Sequence, residues 1–286
     1  LISIVENRPS LYLDEMAQSL KVKTGKKYSV SQISERLRLK LRFSRKVMYD
    51  KAAQQKRRDR REFINVMNYA IKNAAMGIFI DESNKDRKAA RRKYGWSRIG
   101  TEVQSKSSFN TDIRYTLIGA ADCFGFVVPA CCTILHTYKE KEEFKPVDSD
   151  RFEQYVKERL VPVLGNYSRQ EPRSVVIMDN CSIHLNKNVS KLIEDAGAII
   201  IYSAPYSPDL IPIEYMFSKW KYYLKRHEVA FKDNWFKVHI AALLSITPQE
   251  GLAYFRNTTL TQLVHMHPLS EAYQKELLQV LLVIYW

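Results

Sequence analysis

The stretch Met76-Gly77-Ile78-Phe79-Ile80-Asp81 decides the fold, because here the chain changes from a basic helical pattern to short apolar runs. Residues 76–80 are predicted to form a buried strand that ends at Asp81. A second apolar run, Ser174-Val175-Val176-Ile177-Met178, predicts another buried strand that ends at Asp179. Two buried strands that each end in an aspartate are the first indication of a site at one edge of a sheet.

Other patterns on either side of these strands complete a mixed α/β architecture. Further strands are predicted over 112–121, 124–135 and 198–202, and helices over 150–164, 187–196 and 213–226, the last with Pro212 in its first turn. The order is three strands, helix, strand, helix, strand, helix, which predicts a mixed sheet flanked by helices. Residues 115–135 carry one charge, Asp122, but glycines and a proline interrupt them, so we predict two strands and not a membrane span.

The segment before Met76 is predicted to be entirely helical. Short helices fit 11–20 and 30–41, a third is predicted to start at Ser44 and run through Tyr49, and a basic helix fits 54–72. Three short helices with a basic third member resemble a helix-turn-helix unit. The predicted domains are a helix-turn-helix-like segment over 1–56, a linker helix over 57–75, a catalytic domain over 76–230 and a helical extension over 231–286.

Positive charge is concentrated at the start of the chain. The net charge is +14, and residues 1–75 hold 18 Lys and Arg against 7 Asp and Glu. Such asymmetry indicates contact with a polyanion, although a solvated helical face explains it equally well. The side chains predicted to contact DNA phosphates are Arg45, Lys46, Lys51, Arg57 and Arg58.

Three acidic residues are the candidate metal ligands. Asp81 and Asp179 end predicted strands, and Glu214 lies in the first turn of a later helix. Three converging carboxylates repel one another unless a cation lies between them. Mg²⁺ prefers oxygen ligands, and two such ions support phosphodiester chemistry. The alternative is that the aspartates only form turns at strand ends. The four cysteines lack the paired spacing of a zinc site.

Three short motifs resemble those of the mariner-superfamily transposases and related bacterial insertion-sequence transposases. They are Ile80-Asp81-Glu82-Ser83, Met178-Asp179-Asn180-Cys181-Ser182-Ile183-His184 and Pro205-Tyr206-Ser207-Pro208-Asp209-Leu210-Ile211-Pro212-Ile213-Glu214. The 34 residues over 180–213 match the spacing typical of the Asp-Asp-Glu members. The segment 91–97 also resembles the family, and the resemblance covers roughly residues 10–260.

The resemblance implies a ribonuclease-H-like fold and cut-and-paste transposition with Mg²⁺ or Mn²⁺, using two ions. Asp81, Asp179 and Glu214 would be both catalytic residues and metal ligands. The implied partners are double-stranded DNA, at transposon ends and target, and a second copy in a homodimer, with no membrane. The implied location is the nucleus if the source is eukaryotic and the cytoplasm otherwise, and the chain has no visible secretory signal.

Two neighbours of Asp179 and one departure from the family pattern complete the predictions. Asn180 and His184 either support the metal site or only stabilise the local structure. The family has asparagine where this chain has Ile211, so the runner-up prediction is a transposase-derived DNA-binding protein with weakened catalysis. A third possibility, an RNA nuclease or resolvase of the same fold, fits the basic start and the 34-residue spacing less well.

Overall fold

The computed structural model describes residues 1–46, 54–85, 97–102, 114–136 and 147–258. The chain divides into two compact units, Leu1–Ala53 and Gln54–Trp286. The predicted third helix beyond Lys46, the family-like segment up to residue 96 and the end of the predicted extension from residue 259 lie outside the described residues.

The first unit is helical. It contains α1 (Ile2–Asn7), α2 (Leu13–Thr24) and α3 (Val30–Glu35), and α3 continues into a π-helical turn, Arg36–Lys40. Its small apolar core is formed by Ile4, Met16, Leu20, Ile33 and Leu37. The helices predicted over 11–20 and 30–41 are therefore confirmed.

The prediction of a helix that starts at Ser44 is wrong for residues 44–46, which are not helical. Arg42 has a φ of +58°, the left-handed conformation in which helices commonly end. The backbone N–H of Phe43 then donates to the carbonyl of Leu37 at 2.8 Å, and the Phe43 ring packs against the core of the first unit. The chain therefore turns back at Arg42 and does not begin a new helix at Ser44.

The second unit contains a six-stranded mixed sheet. Its strands are β1 (Gly77–Lys85), β2 (Arg114–Asp122), β3 (Gly125–Phe126), β4 (Cys132–His136), β5 (Val175–Met178) and β6 (Ile199–Tyr202). The order is β3-β2-β1-β5-β6, with β4 also paired to β2. β1 is antiparallel to β2 and parallel to β5, which is parallel to β6. The predicted mixed sheet is confirmed.

Helices cover both faces of this sheet. α4 (Arg57–Ala70), α7 (Pro212–Arg226), α9 (Trp235–Leu244) and α10 (Pro248–Arg256) contribute to the larger core, and α8 (Glu228–Asp233) lies between α7 and α9. α5 (Ser149–Tyr155), which continues to Leu160 as a π-helical turn, and α6 (Lys187–Asp195) pack on the other face. Side chains alternate along β1, so Phe79 faces the larger core on the side of α7, while Ile78 and Ile80 face the core on the side of α5 and α6.

The strand predicted over 124–135 is divided in two. β3 and β4 are separated by a 3₁₀ turn, Val128–Ala130. Pro129 lies in this turn and has no backbone N–H for a strand ladder, which explains the interruption. Among the described residues, none of the helices has the length and apolar character needed to cross a bilayer.

Gly119 allows α7 to lie close to the sheet beside Asp81. Gly119 is the cross-strand partner of Asp81 in the β1–β2 pair. A Cβ atom at Gly119 would lie 2.8 Å from the ring of Phe217 on α7, closer than such atoms pack. Since Glu214 lies three residues before Phe217, this close approach helps to set the height of Glu214 above the sheet.

Candidate metal centre

The three predicted carboxylates line one cleft at the end of the parallel strands. Asp81 is partly buried within β1, Asp179 directly follows β5, and Glu214 is exposed in the first turn of α7. All three line a cleft of about 450 Å³ together with the loop 203–208 and Ile211. The structure therefore brings together side chains that are up to 133 positions apart in the sequence.

The cleft contains an excess of negative charge. Burial, followed by repulsion from Glu214 and Glu82, raises the pKa of Asp81 from 3.8 to about 7. Burial also raises the pKa of Glu214, although Lys221 opposes the shift. When burial and neighbouring negative charge raise the pKa of a carboxyl group, a cation that binds beside it stabilises its ionised form. Oxygen ligands with uncompensated charge are the donor set that a hard divalent cation such as Mg²⁺ prefers.

Asp179 is held in place from below by His184. The side chain of His184 is fully buried, and its Nδ1 lies 2.5 Å from Oδ1 of Asp179. Its Nε2 lies 3.0 Å from Oε1 of Glu82, and the ring of Phe152 packs over it at 4.3 Å. Burial alone would lower the pKa of His184, but its hydrogen bonds to Asp179 and Glu82 outweigh this and raise the pKa to about 10. His184 is therefore an imidazolium that links two carboxylates.

The link between Asp179 and Glu82 joins neighbouring strands. Glu82 follows Asp81 on β1 and points to the opposite face of the sheet, as the strand alternation requires. Hydrogen bonding to His184 lowers the pKa of Asp179, so this carboxylate stays ionised. The arrangement leaves Asp179 oriented and negatively charged at the edge of the cleft.

A second group of potential ligands lies beside the cleft. Within the described part of the chain, Asp179, Cys181 and His184 form the one group of three or more such side chains whose ligand atoms lie within 4.8 Å of one another. Both ring nitrogens of His184 face carboxylates, and an imidazolium has no lone pair for a metal. Burial and the hydrogen bond to Asp179 raise the pKa of Cys181 to about 12, so its thiol stays protonated. In this arrangement His184 and Cys181 support Asp179 through hydrogen bonds.

The remaining predicted residues lie in different surroundings. Asn180 is exposed and lines the cleft next to Asp179. Arg45 and Lys46 are exposed outside any helix, and Lys51 lies outside the described residues. Arg57 and Arg58 are exposed in the first turn of α4.

The loop before Glu214 is short and contains a residue in an unusual conformation. It includes a 3₁₀ turn, Pro208–Leu210, and leads into α7 at Ile211 and Pro212. Tyr206 has a φ of +54°, which is uncommon for a residue with a side chain. Ile211 is the N-cap residue of α7 and makes no side-chain hydrogen bond there. The family's asparagine at this position would be able to cap the helix, whereas isoleucine cannot.

Sequence reasoning missed two features of this site. Glu82 lies in the first motif, but the alternation of the strand indicates only that it faces away from Asp81, and its partner is 102 positions away. Arg60 on α4 forms an ion pair with Asp209 in the loop, 149 positions away. No local pattern indicates either pairing, because both depend on which elements become neighbours in the fold.

The second unit is similar to known proteins. A family model described as DDE superfamily endonuclease matches residues 77–234. No curated protein was similar enough in sequence to count as a match.

The fold is similar to that of solved complexes of the mariner Mos1 transposase. The Mos1 paired end complex with Mg is 16% identical, with a TM-score of 0.59, covering 92% of this chain and 74% of that chain. The Mos1 strand transfer complex is 16% identical, with a TM-score of 0.55, covering 91% and 76%. The pre-cleavage Mos1 transpososome gives a TM-score of 0.54 at 16% identity, covering 91% and 76%. At this identity the likeness establishes the fold.

The predicted ribonuclease-H-like fold and the resemblance to mariner-type transposases are thus confirmed. Because the family model extends over more than half of the sequence, this chain belongs to the DDE superfamily endonucleases.

Proposed function

We propose that this chain is a transposase that cuts and joins DNA strands at a metal centre formed by Asp81, Asp179 and Glu214. The observation that carries the proposal is that these three carboxylates line one cleft in a chain of the DDE endonuclease family. Each comes from a different element, β1, the end of β5 and α7. An arrangement assembled from three elements is the expected result of selection for a site and not of turn formation alone.

We further propose that the cleft holds two divalent ions, Mg²⁺ or Mn²⁺, with the three carboxylates as ligands. The pKa of Asp81, raised by burial and by Glu214 and Glu82, supports this, because a bound cation would relieve that repulsion. When bound, such ions supply activation of the attacking oxygen and stabilisation of the leaving oxygen in phosphodiester chemistry. His184 orients Asp179, and the first turn of α7 presents Glu214 from the other side of the cleft.

The proposed reaction is cut-and-paste transposition. A water molecule attacks a phosphodiester at the end of the element and breaks its P–O3′ bond, which leaves a 5′-phosphate and a free 3′-hydroxyl. This 3′-hydroxyl then attacks a phosphodiester of the target DNA, joins to the target's 5′-phosphate and releases the target's 3′-hydroxyl. Because the reaction joins two DNA ends to a target, we expect an active complex of two copies of the chain. Solved structures of Mos1 include paired-end complexes. In a eukaryotic cell this activity belongs in the nucleus.

The same proposal assigns DNA binding to the helix-turn-helix-like segment 1–56 and to Arg57 and Arg58 in the first turn of α4. Residues 1–75 hold 18 Lys and Arg against 7 Asp and Glu. Arg45, Lys46, Arg57 and Arg58 are all exposed and can reach phosphates. Catalysis is assigned to residues 76–230.

A second candidate function is DNA binding without effective cleavage. The observation that favours it is Ile211, which leaves the first turn of α7 without a side-chain cap next to Glu214. A less firmly held helix start would let Glu214 move, and small misplacement of a catalytic group lowers the rate strongly. The three carboxylates themselves favour the first candidate.

The test is cleavage of the DNA that flanks the coding sequence of this chain, since that DNA includes the element's own ends. Labelled flanks are incubated with the wild type, Asp179→Asn and Glu214→Gln, in Mg²⁺, in Mn²⁺ and in EDTA. We expect the wild type to make strand cuts that leave a 3′-hydroxyl in Mg²⁺ or Mn²⁺. We expect no cuts in EDTA and none from either variant. A wild type that binds the flanks tightly but does not cut them in either metal would support the second candidate. A wild type that does neither would contradict both.

A further inference from the structure

The start of α4 holds the loop that leads to Glu214 at two points. Arg60 donates from Nη1 to Oδ1 of Asp209 at 2.8 Å and from Nη2 to Oδ2 at 2.7 Å. Gln55, just before the helix, donates from Nε2 to the backbone carbonyl of Tyr206 at 2.8 Å. A two-pronged guanidinium–carboxylate pair is directional, so it fixes the orientation of the loop as well as its distance.

The helix that makes these contacts is itself firmly anchored. Phe63, Met67 and Ala70 are buried in the core beneath the sheet face that carries Asp81. Arg60 lies one turn before Phe63, and 22% of its side chain is exposed. A side chain that extends from an anchored helix can act as a fixed support for a loop.

The loop needs such a support. Tyr206 adopts a left-handed backbone conformation that is costly for a residue with a side chain. The 3₁₀ turn is closed by hydrogen bonds from Leu210 N–H to Ser207 and from Ile211 N–H to Pro208, at 3.1 and 3.0 Å. Because α7 has no side-chain cap at Ile211, the position of Glu214 depends on how well this loop is held.

We propose that Arg60 is a positioning residue for Glu214, acting through Asp209 and the loop 205–211. The proposal rests on the proposed function, since it assigns Glu214 to catalysis. Arg60 does not touch the cleft and contributes no chemistry. It keeps the loop, and with it the first turn of α7, in the geometry that presents the Glu214 carboxylate to the other two.

The experiment compares four variants with the wild type on the same flank DNA. Arg60→Gln removes the pair, Arg60→Lys keeps the charge but not the fork, and the double variant Arg60→Asp with Asp209→Arg reverses the pair. Arg61→Gln is the matched control, because it removes the same charge from an exposed neighbour on the same helix. The readouts are single-turnover cleavage at saturating DNA, the dissociation constant for DNA, the melting temperature, and hydrogen exchange of the Leu210 and Ile211 amides without DNA.

We expect Arg60→Gln to cut more slowly by about tenfold or more, since displacement of a catalytic group by about 1 Å can cost about a hundredfold. Arg60→Lys should retain part of the rate, and the reversed pair should recover most of it. The exchange of the two amides should rise in Arg60→Gln and not in Arg61→Gln. The melting temperature should change little, because partly exposed ion pairs contribute little to global stability.

Three results would overturn the proposal. The first is an Arg60→Gln variant that cuts like the wild type. The second is amide exchange in Arg60→Gln equal to that of the wild type. The third is a variant that only weakens DNA affinity while the rate at saturating DNA is unchanged, which would make Arg60 a phosphate contact. If the wild type itself does not cut, the proposed function has failed, and the amide exchange still tests whether Arg60 holds the loop.

Discussion

Replacing Asp81 with asparagine should make the metal-free protein more stable at neutral and alkaline pH. The pKa of Asp81 is raised from 3.8 to about 7, so the native state favours the protonated form. Ionisation of Asp81 therefore destabilises the fold. This destabilisation is absent below pH 3.8, grows as the pH rises and is complete above pH 7. Asparagine has nearly the shape of the protonated acid, and its oxygen can still accept the Glu82 N–H that Asp81 accepts at 2.8 Å.

The size of the effect follows from the shift. A change of about 3 pKa units corresponds to about 4 kcal/mol, at about 1.4 kcal/mol per unit. This is the upper limit, because water in the open cleft screens part of the repulsion. At pH 5, linkage gives a loss of stability of about 1.7 kcal/mol from ionised Asp81. The stability gained in Asp81→Asn should therefore grow by about 2 to 3 kcal/mol between pH 5 and pH 8.

The assay is equilibrium unfolding in urea, with EDTA, at both pH values. Asp195→Asn is the control, since Asp195 is an exposed carboxylate at the end of α6 and its removal should change stability by less than about 0.5 kcal/mol. Adding Mg²⁺ at pH 8 should stabilise the wild type more than Asp81→Asn, because ligand binding stabilises only the form that binds. Equal stability of Asp81→Asn and wild type at pH 8, or the same gain at both pH values, would refute the reasoning.

Three further predictions concern the supports of the cleft. Ile211→Asn should cap α7, and such a cap contributes about 1 kcal/mol at other helices. The variant should raise flank cleavage or leave it unchanged, while the control Ile211→Val should not raise it. A clear loss of cleavage on restoring asparagine would show that isoleucine is adapted here. Gly119→Ala should push Phe217 and α7 outwards and slow cleavage by about tenfold, and an unchanged rate would show that the approach of α7 is not critical. The ion pairs of His184 should stabilise the fold fully below pH 6.5 and lose that contribution as the pH rises through about 10. Glu82→Gln should lower the pKa of His184, which NMR titration of its ring can measure. An unchanged pKa would contradict the link from Glu82 through His184 to Asp179.

The sequence predicted the carboxylates because each has a local signal. Asp81 and Asp179 follow apolar runs, and Glu214 follows a proline that begins a helix. Their meeting in one cleft depends on the order of the strands, which the resemblance implied and no local pattern specifies. Two predictions from local patterns were wrong: no helix begins at Ser44, because the chain turns at Arg42, and Pro129 divides a strand that apolar character had suggested was continuous.

The supports of the site could not be predicted, and the reason is physical. Glu82 and His184 meet because β1 and β5 are neighbours and His184 lies beneath the turn after β5. Arg60 and Asp209 meet because α4 packs on the same face of the sheet as α7. Charged side chains are common in this sequence, so only the folded arrangement shows which of them pair.

The most direct test of the central claim is the location of bound Mn²⁺ in crystals of the protein, measured by anomalous scattering. We predict Mn²⁺ in the cleft, coordinated by carboxylate oxygens of Asp81, Asp179 and Glu214, and loss of that signal in Asp81→Asn crystals soaked in the same way. Mn²⁺ bound instead by Cys181 and His184, or a cleft without Mn²⁺ at millimolar concentration, would contradict the account.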